Sequence, residues 1–173
     1  MNDTKVVQFE DLIQGKCIIN GHLDNVLYDS GATHSFISYD CVEHLKLPTT
    51  LLPYYLIVST STNVSVITSL ACINCHISIG NRYFSVNLIC LLLSHLDIIL
   101  GMDWLSSNHV FQNFYDKTLI FKSNASEVLD PRELKEATNH NEVPKGSQVY
   151  MILTSLKVKE IPEITKAPIV CTP

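Results

Sequence analysis

The sequence predicts an all-β domain with short helices, and three observations predict it. One order of elements (hairpin, strand, glycine turn, helix) occurs twice along the chain. An apolar run, Val26-Leu27-Tyr28, feeds directly into an Asp29-Ser30-Gly31 turn. Between the two copies, residues 55–70 are rich in Ser, Thr and Val, with the alternation and β-branching of a hairpin.

In the first copy, residues 16–19 read as a strand and Asn20-Gly21 as the two-residue turn of a hairpin. Residues 23–28 return and run into the Asp29 turn. The spacing of Phe36, Ile37, Cys41 and Leu45 predicts a helix over 36–45, ended by Pro48. Residues 55–70 form the middle hairpin, with its tip at 59–64. In the second copy, residues 77–79 are a strand, Gly80-Asn81 a turn, and 83–93 the returning strand. Residues 98–101 cross, and Asp103-Trp104-Leu105 opens a short helix. A last hairpin joins 110–114 to 118–122. Beyond Ser123 the chain turns polar and is punctuated by prolines, with a short helix expected over 131–138 and an isolated strand over 148–153.

Composition narrows the function. A chain of 173 residues, 46% hydrophobic and 17% charged, has room for one packed domain plus an extension. A formal charge of −5 with no basic stripe leaves nothing to neutralise phosphates, so no nucleic-acid partner is expected. The longest apolar stretch, 88–93, is far too short to span a bilayer. Met1 to Lys5 lacks the apolar segment of a signal peptide, so the expected location is the cytoplasm.

Six cysteines (17, 41, 72, 75, 90 and 171) are expected to be reduced, buried small hydrophobes. Cys72-Ile73-Asn74-Cys75-His76 matches a haem-attachment pattern and half a zinc site. It lies in an extended segment, where residues three apart point to opposite faces and could not share a ligand. No second Cys/His pair completes a zinc site, and the remaining histidines form no metalloprotease pattern. No metal and no cofactor are expected.

Two stretches carry a family resemblance. Leu27-Tyr28-Asp29-Ser30-Gly31-Ala32-Thr33-His34-Ser35-Phe36-Ile37-Ser38 and Asp97-Ile98-Ile99-Leu100-Gly101-Met102-Asp103-Trp104-Leu105 resemble the retropepsin-like aspartic protease of Ty3/gypsy-type LTR retrotransposon polyproteins. The resemblance implies a closed β-barrel subunit of the acid-protease fold over 12–122, and a C2 homodimer when active. It also implies an N-terminal segment at 1–11 and, over 123–173, a connector toward a reverse-transcriptase region. The hairpin at 55–70 would then be the flap that closes over a peptide of the polyprotein. Its tip, Thr60-Ser61-Thr62-Asn63, would contact substrate, although it lacks the glycine usual in the family.

Peptide hydrolysis by this class needs two carboxylates sharing one proton around a water. The chain offers one Asp-Ser-Gly turn, so the second carboxylate must be Asp29 of a twin subunit. A two-domain pepsin-like monomer would need a second such turn, and none occurs. Ser30 has two roles open to it, bracing the two turns across the dimer axis by resemblance or bonding its local backbone. Gly31 and Ala32 are small where the backbone packs beside the carboxylate. Thr33 and His34 stand where many retroviral relatives carry acidic residues that bind the substrate main chain. Leu100 and Gly101 form the second crossing, with Gly101 allowing close passage. Asp103 is expected to cap the short helix or bond the turn backbone. Asp97 is expected to be a strand-end residue and Trp104 a core residue. A rival reading from another class is a catalytically inactive, domesticated domain that dimerises or binds peptide.

Overall fold

The structure, a computed structural model, describes residues 12–60, 64–122, 127–129, 131 and 157–162. Strand β1 (Ile13–Ile19) turns back into β2 (His22–Tyr28) through Asn20 and Gly21, whose φ values of 48° and 81° are both left-handed. That pairing of signs defines the tight turn matched to strand twist, and Asn-Gly supplies it with little strain. β3 (Phe36–Ser38) leads into helix α1 (Tyr39–Leu45). The long strands β4 (Thr50–Ser59), β5 (Ser65–Ile79) and β6 (Arg82–Leu91) follow. The remaining elements are β7 (Ile98–Leu100), α2 (Met102–Ser107), β8 (Val110–Asn113), β9 (Thr118–Phe121), β10 (Glu127–Leu129) and β11 (Lys157–Pro162).

The strands close a barrel. Hydrogen-bonded neighbours run β1-β2-β7-β3-β6-β5, and β5 returns to β1 through Ile18↔Ser78 and Ile19↔Ile77, giving a closed six-stranded barrel. β4 continues outward from β5, and β11 pairs with β4. A separate sheet has the order β10-β9-β8. The all-β expectation, with short helices and a closed barrel, is met.

The chain closes this barrel by inserting β7 between β2 and β3. β7 runs parallel to β2 (Val26↔Ile98 to Tyr28↔Leu100) and antiparallel to β3 (Phe36↔Ile99, Ile37↔Ile98). Where they pair, over residues 26–28, Phe36–Ser38 and Ile98–Leu100, these three strands are buried on both faces. Val26, Tyr28, Ile98 and Leu100 enter one apolar core, while Leu27, Phe36 and Ile99 enter the other. Continuous rather than alternating hydrophobicity is what two-sided burial demands. In the first core Trp104 packs edge-on against Phe84 at 5.1 Å between ring centres, and Phe84 stacks on Phe121 at 5.7 Å. Trp104 is a core residue, as expected.

Three local expectations are corrected. The helix predicted over 36–45 begins only at Tyr39, because Phe36 to Ser38 pair as strand with β6 and β7. Ser38 sets the boundary: its backbone is extended (ψ 146°) and its hydroxyl accepts from Cys41 N at 3.0 Å. Residues 77–79 are not a separate strand but the end of the 15-residue β5. Lastly, Cys72 and Cys75 do not face opposite ways. The β5–β6 register slips between them, Asn74 adopts a φ of 56°, and both thiols enter the same core. The slip adds a residue, which restores a common face to positions three apart. Cys72 Sγ lies 3.8 Å from Cys90 Sγ, and the Cys75 thiol is pushed up by its hydrogen bond to Cys72 and by burial. Cys17, Cys41, Cys72, Cys75 and Cys90 are all buried free thiols. Cys171, the predicted 131–138 helix beyond Pro131, and the predicted strand over 148–153 lie outside the described residues.

Gly101 is the tightest point of the crossing. A Cβ there would collide with the His34 carbonyl oxygen and stand 2.8 Å from that of Ala32. Both obstacles are backbone and cannot rotate away. Gly101→Ala is therefore expected to cost about 3 kcal/mol, the upper end of ordinary overpacking. A lowered urea midpoint with an unchanged slope is the expected reading, and an unchanged midpoint would contradict it.

Candidate active site

Asp29 stands where β2 ends, held through both its backbone and its carboxylate. Its own N–H donates to Leu100 O at 2.9 Å, which continues the β2–β7 pairing one residue further. One carboxylate oxygen, Oδ1, accepts from Gly31 N at 2.8 Å. Ala32 N donates to Asp29 O at 3.3 Å and closes the turn. Asp29 is 6% exposed, one of few buried polar residues. Burial raises its carboxyl above the ordinary carboxylate range, opposed by the Gly31 and Ala32 backbone N–H groups. The charged form of Asp29 is thus costlier than that of an exposed aspartate.

Around this turn the structure brings together most of the residues singled out by sequence. Ser30 and Gly31 are exposed at its crest, and Ala32 is fully buried beneath it. Thr33 Oγ1 lies 2.9 Å from His34 Nδ1. Met102 N donates to Ala32 O at 2.8 Å and Asp103 N to Thr33 O at 3.3 Å, so the start of α2 is stapled to the turn. Leu100 and Gly101 lie in that staple.

Asp103 meets both expected roles. Gly101 holds the cap position of α2 without a side-chain bond of its own, while Asp103 Oδ1 accepts from Trp104 N at 2.7 Å in the first helical turn. The same carboxylate bonds the backbone of the turn. Asp103 Oδ2 accepts from Ser35 N at 3.1 Å and Oδ1 from Ser35 Oγ at 2.7 Å. Asp97 lies at the far end of β7, where its carboxylate accepts from Asn25 N and Nδ2 at 3.1 and 3.0 Å. It is a strand-end residue, as expected.

Two site-supporting residues were not legible in the sequence. Ser35, fully buried, accepts from Gly101 N at 3.1 Å, donates to Asp103, and takes Ile89 N on its carbonyl at 3.0 Å. It therefore joins both halves of the crossing and β6. Gln112 of β8 donates its Nε2 to Tyr28 O at 2.9 Å, one residue before Asp29. Nothing local marks either one, because their partners are 66 and 84 positions away.

The middle hairpin stands over the same region. Leu56 and Val58 of β4 share an apolar core with Ala32. Thr60 closes the hairpin neck, its N–H and hydroxyl both donating to Val64 O at 3.0 and 2.9 Å. The other proposed tip contacts, Ser61, Thr62 and Asn63, lie outside the described residues. Beside Ser30 an open groove of about 390 Å³ is lined by Met102, Leu105, Phe111, Gln112 and Phe114, among others. Met102, Phe111 and Phe114 are each more than 40% exposed, an unusual concentration of large apolar side chains at a surface.

Comparison with known proteins bears on this geometry. No curated protein matches the chain. The crystal structure of the retroviral protease-like domain of Ddi1 from Leishmania major is similar to it, with a TM-score of 0.54 at 17% identity, covering 71% of this chain and 98% of that one. The EIAV protease complexed with the inhibitor HBY-793 superposes with a TM-score of 0.44 at 21% identity, covering 59% of this chain and 92% of that one. At such identities the first likeness bears on fold alone, and the fold is the retropepsin-like one. Residues 1–127 match the family described as retroviral aspartyl protease, and this chain belongs to that family.

Proposed function

We propose that the chain is an aspartic endopeptidase, active as a C2 homodimer, that matures the polyprotein of a Ty3/gypsy-type retrotransposon in the cytoplasm. The observation that carries this reading is the buried Asp29 carboxyl, fixed by Gly31 N–H at the end of β2. One such group per chain is half of the required chemistry. Two Asp29 carboxyls meeting across a two-fold axis cannot both ionise cheaply, so they share one proton and titrate as a pair. The ionised member takes a proton from a water held between them. The protonated member donates to the scissile carbonyl oxygen, and the water attacks the carbonyl carbon. No metal or organic cofactor enters this scheme.

The apolar surface beside Ser30 supports the dimer. Met102, Phe111 and Phe114 flank the turn that must meet its twin, and β8 is an edge of its sheet. A second copy would cover both. Ser30, exposed at the crest, would brace the two turns. The β4–β5 hairpin would act as the flap, pairing its backbone with an extended peptide.

The decisive comparison is between the parent and Asp29→Asn on a library of polyprotein-derived peptides at mildly acidic pH. The parent should cleave, with a rate rising more steeply than first order in protein at low concentration, and the variant should lose about 10³-fold. Peptide binding without cleavage by the parent would replace the enzyme with a peptide-binding domain.

The raised Asp29 carboxyl gives a stability test with a definite sign. The folded chain holds this proton more tightly than the unfolded chain. The stability so conferred is present below the ordinary carboxylate value and is lost as pH rises through the raised one. Asp29→Asn should therefore melt higher than the parent at neutral pH, with the gap closing as pH falls. A gap that widens toward acid would contradict the burial account.

Ser35→Ala should leave the buried Gly101 N–H without a partner, costing about 1–2 kcal/mol in urea unfolding. Because Gly101 belongs to the staple beneath Asp29, kcat should fall more than KM changes. Ser35→Thr, which keeps a hydroxyl, should restore part of the loss.

A further inference from the structure

Strand β11 comes from the segment after the barrel, yet it lies along the hairpin over the site. It pairs antiparallel with β4 in unbroken register, from Lys157↔Ser59 to Pro162↔Tyr54. β4 has β5 on its other side, so β11 occupies what would otherwise be the free edge of the sheet. The edge is not remote. Leu56 and Val58, within the paired stretch, share the apolar core with Ala32 directly behind the Asp29 turn. At its upper end the pairing reaches Ser59, one residue short of the Thr60 neck.

An open β-strand edge recognises an extended peptide through its backbone, largely regardless of sequence. The same edge cannot hold two strands at once. We infer that Lys157–Pro162 is a built-in occupant of the peptide-pairing edge of β4, excluding extended peptide until it is displaced or cut away. This rests on the peptidase reading only for what the excluded peptide is. A tethered strand competes at an effective concentration of about 1 mM, enough to hold off a peptide that pairs weakly. The device fits a protease carried within a longer chain, where the segment after the barrel would keep the site closed to other extended segments.

The test uses the full chain with prolines placed in β11. Lys159→Pro/Ile161→Pro and Val158→Pro/Glu160→Pro remove N–H groups of alternate direction, so one of the two variants removes those facing β4. Amide exchange over 54–59 reads whether β11 has left. A fluorescein-labelled peptide of residues 155–164, added in trans to the same variants carrying Asp29→Asn, reads whether the edge is open without needing catalysis. With Asp29 intact, KM for a cleaved peptide is measured.

In the disruptive variant, exchange over 54–59 should rise, the labelled peptide should bind about tenfold tighter than to the parent, and KM should fall by a similar factor. Tighter binding without any cleavage would sustain the docking edge and defeat the peptidase reading alone. Unchanged exchange in both variants would overturn the inference, because β11 would then not occupy β4 in solution. Faster exchange with neither tighter binding nor lower KM would overturn it too, leaving β11 as mere edge protection.

Discussion

The structure depends on a backbone staple between two segments about 70 positions apart. Asp29 N bonds Leu100 O, Met102 N bonds Ala32 O, and Asp103 N bonds Thr33 O, all across a gap that Gly101 keeps open. Without this crossing β7 could not lie between β2 and β3, and the barrel would not close. The Asp29 carboxyl stands on the same staple. Fold and site therefore share one set of bonds, and nothing can loosen the crossing without moving Asp29.

That arrangement explains why the Asp29 carboxyl can be both buried and hydrogen-bonded. The last three residues of β2, with β7 and β3, are buried on both faces, so the end of β2 emerges from a dry interior. Burial disfavours the charge on Asp29, while the Gly31 and Ala32 N–H groups partly compensate it. The proposed proton exchange at Asp29 calls for such a balance. Around it, the supporting polar bonds are completed by Ser35 and Gln112, which tie the turn to α2, β6 and β8.

The hairpin above the site belongs to the same system. β4 contributes Leu56 and Val58 to the core beneath the turn and offers its outer edge to another strand. In this chain that edge holds β11, and β10 likewise extends the sheet of β8 and β9. Two pieces of the segment after residue 122 thus pair with strands of the domain, β10 with β9 and β11 with β4.

Much of this was legible in the sequence because it is local chemistry. Asn20-Gly21 dictates its turn through left-handed backbone, and Asp29-Ser30-Gly31 dictates an Asx-type turn after an apolar strand. The doubled order of elements revealed the two crossings, and Gly101 declared a close approach. What the sequence could not determine is where non-local partners overrule local preference. Phe36 and Ile37 have helical spacing, but β6 and β7 satisfy their backbone as strand. Alternation places Cys72 and Cys75 on opposite faces, but a slip in register against β6 brings them together. The roles of Ser35 and Gln112, and the seat of β11 on β4, likewise exist only once distant segments meet. A turn is fixed by the φ/ψ limits of its own residues, whereas a ladder or a buried hydrogen bond is fixed by whatever partner the closed barrel delivers.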